Sequence, residues 1–121
     1  MPLRFPFRPC LHTMLILFDH STPAPLAAHL PTHKIETAKA RGWDKLTNGE
    51  LLAEAERAGF DMLLTADGNL HYQQNLKHRR IALVVLTGNR WRLVQRVIRK
   101  IVVAVDTAEP GSFTLIEEPA K

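Results

Sequence analysis

A chain of 121 residues supplies one domain and not two. At 45% hydrophobic it can bury a core unaided, and its single cysteine, Cys10, excludes an internal disulfide and fits a reducing, cytoplasmic setting. The net charge of +4 is unevenly spread: no Asp or Glu lies between Asp67 and Asp106, where Lys77, Arg79, Arg80, Arg90, Arg92, Arg96, Arg99 and Lys100 all fall, an asymmetry that suggests a polyanionic partner.

Residues 1–13, MPLRFPFRPCLHT, hold three prolines and two arginines and show no period of 2 or 3.6. They read as a disordered arm or as an extension upstream of a start at Met14, which places the domain at 14–121. Met14 to Phe18 (MLILF) is an apolar run of strand length, closed by Asp19. Thr22 followed by Pro23 suggests a capped short helix to about Leu30, and Lys34 to Ala38 a second strand. Thr47-Asn48-Gly49-Glu50 opens a helix that Gly59 stops near Ala58. Phe60 to Thr65 is a third strand, and Asp67-Gly68-Asn69 turns into a short helix through Asn75. Ile81 to Leu86 (IALVVL) is a fourth strand.

From Trp91 to Val105 apolar residues recur every three or four positions, which predicts a helix with Arg92, Arg96, Arg99 and Lys100 on its other face. Ser112 to Ile116 closes the chain as an edge strand. Strands alternating with helices imply right-handed βαβ units and a parallel sheet covered on both faces. No apolar run approaches the roughly 20 residues that span a bilayer, and the glycine patterns of dinucleotide and P-loop sites are absent.

In a parallel sheet, functional groups gather beyond the carboxyl ends of the strands. Asp19 and Asp67 both fall there. Two or three converging carboxylates suit Mg²⁺ or Mn²⁺, and such an ion can polarise a phosphoryl oxygen and activate water. Each acid also has a structural role open to it: Asp19 in a turn, Asp67 as a cap, and Glu50 in the capping box that its spacing favours. Asp44 and Asp61 are weaker candidates for a further acid. If three carboxylates share one cavity, neutralising Asp19 is expected to raise stability in chelator.

His20 adjoins Asp19 and could meet phosphate or metal. His12, His29, His33, His71 and His78 lack tight ligand spacing and read as surface or packing residues. Tyr72, Gln73, Gln74 and Asn75 could bind bases or fix a helix against the sheet. The arginine-rich face of the last helix is either solvated or a contact for RNA.

The segments MLILFDHSTP, LTNGELLAEAERAGFDMLLTADGNLHYQQNL and RIALVVL together resemble a family of small bacterial PIN-like proteins, over Met14 to about Ile116. The resemblance implies a three-layer α/β/α sandwich with a mainly parallel sheet of about five strands. It also implies kinship with VapC-type toxins, which are metal-dependent ribonucleases. It places Asp19, Glu50 and Asp67 as catalytic residues and as ligands of Mg²⁺ or Mn²⁺. His20, Asn69, Arg92, Arg96, Arg99 and Lys100 are then the candidate RNA contacts. The expected function is an endoribonuclease acting as the toxin of a toxin–antitoxin pair, with RNA, a cognate antitoxin and a second copy of the chain as partners. The alternative is a PIN-like RNA- or protein-binding module that does not turn over.

Overall fold

The structure is a computed structural model that describes residues 13–66 and 80–117. Its centre is a five-stranded, all-parallel sheet in the order β2-β1-β3-β4-β5. The strands are β1 (Leu15–Phe18), β2 (Lys34–Thr37), β3 (Met62–Thr65), β4 (Ala82–Leu86) and β5 (Phe113–Ile116). Parallel strands need crossovers long enough to return the chain to the starting edge. Among the described residues, α1 (Asn48–Arg57) supplies the one from β2 to β3, α2 (Trp91–Val94) and α3 (Ile98–Thr107) the one from β4 to β5, and a 3₁₀ helix at Ala24–His29 lies between β1 and β2.

The alternation of side chains along each strand sorts the apolar residues into two cores. On one face Leu17, Leu63, Leu83 and Val85 pack with Leu51, Leu52 and Ala55 of α1. On the other, Ile16, Phe18, Met62, Leu64, Val84 and Leu86 meet Leu26, Leu30, Val94, Val97, Ile101 and Val105. Both faces are therefore covered, and for this reason β3 and β4 are apolar without alternation. The edge strand β2 keeps Lys34 and Thr37 exposed.

α1 starts and stops as its sequence requires. Thr47 Oγ1 accepts from Glu50 N at 3.3 Å, and Glu50 Oε1 accepts from Thr47 N at 2.9 Å, a reciprocal capping box. Beyond its end Gly59 has φ +93. A Cβ there would meet nothing within 4 Å, so any cost of Gly59→Ala comes from the backbone angle. That cost is expected to be about 1–2 kcal/mol, read as a lower denaturation midpoint with an unchanged m-value.

Two expectations need correction. The single helix over Trp91 to Val105 is broken by a 3₁₀ turn at Gln95–Val97, where Val97 leaves α geometry at φ −118, ψ 19. Thr22 is no helix cap: Pro23 holds that position with no side-chain cap, and the Thr22 hydroxyl is drawn instead to Leu64 O and Asp19.

Side chains tie the amino edge of the sheet. His33 is buried; its Nδ1 accepts from Met14 N at 3.1 Å and its Nε2 lies 2.8 Å from Asp106 Oδ1 near the end of α3. An acceptor Nδ1 puts the ring proton on Nε2, facing the carboxylate. Asp61 Oδ2 accepts from Leu15 N at 2.9 Å. On β2 itself, Glu36 accepts from Arg41 Nε at 2.6 Å, and that guanidinium holds the Glu36 carboxyl below the usual range.

Candidate functional site

The strand order reverses between β1 and β3, since β1 continues to β2 on one side and β3 to β4 on the other. At such a switch point the connections leave in opposite directions and open a crevice beyond the carboxyl ends of the strands. Phe18 pairs with Leu64, so Asp19 and Thr65 come next on adjacent strands. The acid expected at the end of the first strand therefore lies at the switch point.

Asp19 is 4% exposed. A carboxylate so enclosed needs partners, and it has them. Its Oδ1 accepts from Ser21 N at 3.0 Å and Ser21 Oγ at 2.7 Å, and the Thr22 hydroxyl lies 3.0 Å away. That hydroxyl is also 2.7 Å from Leu64 O, so one proton serves two acceptors. Oδ2 accepts from the Thr65 hydroxyl. Ser21 Oγ in turn accepts from Ala66 N at 3.2 Å. Three hydroxyls and two strand ends are thus locked around one carboxylate.

Ser21, Thr22 and Thr65 join the site beyond the residues expected from sequence. The signal was present: Asp followed two and three residues later by Ser and Thr is a local side-chain-to-backbone motif, and Thr65 interrupts an apolar strand at its last position.

A carboxylate has about four lone-pair positions. Oδ1 is fully engaged, whereas Oδ2 has one donor among the described residues and keeps capacity for a cation. Asp19 thus fits one carboxylate ligand of Mg²⁺ or Mn²⁺, ions that retain several waters and need only one or two such ligands. The hydroxyls around it hold the carboxylate in one orientation, as the outer partners of a metal ligand do.

Glu50 stands in the first turn of α1. This helix returns the chain from the carboxyl edge to the amino edge, so its first turn belongs to the same edge as Asp19. Its carboxylate is exposed and engaged with Thr47 N in the capping box. His20 is an exposed turn residue. Asp67 and Asn69 lie outside the described residues, as do Tyr72, Gln73, Gln74 and Asn75. Among the described residues no group of three His, Cys, Asp or Glu could hold a metal. Asp61 belongs to the opposite edge, on Leu15 N, and Asp44 is an exposed turn residue.

The four basic residues of the last helix divide between two places. Arg92 and Arg96 line a small cavity with Arg90 and Leu93. Arg99 and Lys100 border an open groove between α3 and β5, beside Val103 and Leu115, the exposed large apolar residues among those described. Among the described residues no helix is long and apolar enough to cross a membrane. The chain matches no protein-family model, no curated protein and no solved structure.

Proposed function

We propose that the chain is a metal-dependent endoribonuclease that hydrolyses RNA phosphodiesters at the carboxyl edge of the sheet. One observation carries this reading: a buried carboxylate at the topological switch point, oriented by three hydroxyls, whose Oδ2 has a single donor among the described residues. Asp19 would hold Mg²⁺ or Mn²⁺, with Glu50 and Asp67 as the other acids. Once bound, such an ion polarises a phosphoryl oxygen and lowers the pKa of attacking water. The chain's own part is to fix Asp19 so that no reorganisation is needed when substrate arrives, and to attract RNA with Arg92, Arg96, Arg99 and Lys100. On this reading the protein is cytoplasmic and acts as a toxin, with a cognate antitoxin and a second copy of itself as protein partners.

A second reading has its own support. Glu50 is engaged as a cap, which favours a PIN-like module that binds RNA or protein without turnover. Cleavage assays on a structured RNA with Mn²⁺, and with chelator as control, separate the two. Asp67→Asn and Asp19→Asn are expected to lower the Mn²⁺-dependent rate at least a hundredfold, about 2.7 kcal/mol of barrier. Equal rates for Asp67→Asn and parent would remove Asp67 from the site. Absence of cutting by the parent on every RNA tried would favour the binding module.

A further inference from the structure

We propose that Arg90, Arg92 and Arg96 form a phosphate-binding subsite on the same edge of the sheet as Asp19. The three guanidinium-bearing residues and Leu93 line one cavity of about 160 Å³. Arg92 belongs to α2 and Arg96 to the 3₁₀ turn that follows it, and both reach the same cavity. Arg90 comes from the loop that leaves β4, so the three converge instead of forming a stripe. Leu93 is buried and gives the cavity an apolar wall.

Among the described residues, the charged side chains that line this cavity are all cationic. Arg41 pairs with Glu36 at 2.6 Å and Arg57 with Glu54 at 3.4 Å. Among the described residues Arg90, Arg92 and Arg96 make no such pair, and the sequence has no acid between Asp67 and Asp106. Like charges around a small cavity repel one another, and an anion seated between them relieves that repulsion. The planar donor fork of arginine matches phosphate oxygens two at a time, which a lysine cannot do.

Placement ties the cavity to the switch point. The loop from Thr87 to Arg90 starts at the carboxyl end of β4, which pairs with β3, which pairs with β1. β4 is two strand spacings from β1, about 10 Å, within the span of a short oligonucleotide. The subsite deepens the nuclease reading by giving RNA a second anchored phosphate. The polynucleotide source rests on that reading, whereas the phosphate chemistry does not.

Binding measured in chelator keeps the test separate from cleavage. Fluorescence anisotropy on a labelled single-stranded 12-nucleotide RNA, titrated with salt, compares the parent with Arg90→Gln, Arg96→Gln and the double variant. Lys34→Gln, exposed at the amino end of β2, is the comparator. Each cavity variant is expected to weaken binding about fivefold at low salt and to flatten the log–log salt slope by about 0.7 per lost phosphate contact. A parallel melt with millimolar inorganic phosphate should stabilise the parent and not the double variant. Weaker RNA binding without the phosphate effect assigns the subsite to backbone phosphate. The phosphate effect without an RNA effect assigns it to a small phosphate-bearing ligand. If the double variant matches the parent in both measurements, or loses no more RNA affinity than Lys34→Gln and shows no phosphate effect, the subsite is refuted. A parent that binds RNA here but never cuts it refutes the nuclease reading and leaves the subsite standing.

Discussion

Asp19→Asn is expected to melt below the parent in chelator, by roughly 10 °C. Repulsion among three acids predicts the opposite sign, and the hydrogen-bond geometry decides between them. The Ser21 amide and the three hydroxyls that meet Asp19 are donors, and an ionised carboxylate is acceptor-only. An asparagine must turn its NH₂ toward one set of these donors, so it keeps at most half of the acceptor positions. Hydrogen bonds to a charged group contribute about 1.5–3 kcal/mol each, and a buried donor left unpaired costs about 1–3 kcal/mol. Partial rearrangement of Ser21 and the hydroxyls offsets some of this, leaving a net loss of about 2–3 kcal/mol. At about 4 °C per kcal/mol for a domain near this size, that is the stated fall in Tm. Addition of Mn²⁺ should then raise the parent further and the variant much less, because the ion stabilises only a fold that offers its ligand. A variant that melts at or above the parent in chelator would show that charge repulsion dominates at this edge.

His33→Ala should be comparably damaging from the other end of the sheet. It leaves Met14 N, which is buried, without an acceptor and Asp106 without its donor, and it opens a void where the ring stood. An unpaired buried N–H costs about 1–3 kcal/mol, and the lost packing brings the expected total to about 2–4 kcal/mol. His33→Gln can still offer an acceptor to Met14 N and should recover about half of that. Urea melts of the three proteins measure these differences. Because His33 is at the amino edge, the folded variants should bind RNA as the parent does. Equal stability of His33→Ala and parent would mean that water replaces both contacts.

The architecture was legible because its signals are local. MLILF, FDMLLT and IALVVL are apolar runs of strand length, and each became a strand within two residues of the expected bounds. The capping box and Gly59 fixed α1 in the same way. The break at Gln95–Val97 was not legible, because the spacing of Leu93, Val97 and Ile101 is the same for a continuous helix. Nor was the company of Asp19. Thr22 followed by Pro23 is locally a good helix start, but the carboxylate and Leu64 O compete for the same hydroxyl, and a tertiary acceptor outweighs a local cap. Thr65 shows the same limit: its partner is 46 positions away, beyond the reach of any window of sequence.

That separation also sets when the crevice can exist during synthesis. Thr65 emerges 46 residues after Asp19, roughly 2–9 s later at about 5–20 residues per second. Through this interval β1 can pair with β2 but lacks β3, its partner on the other side. Its apolar LILF is half-covered at best, and the carboxylate that later becomes buried is still in water. Closing a loop of this length costs about 3 kcal/mol before any contact offsets it. The cap of α1 spans only three residues and can form as soon as it is made. A ribosome-bound chain that stalls before Thr65 would therefore display a capped helix and a sticky strand, but no switch point.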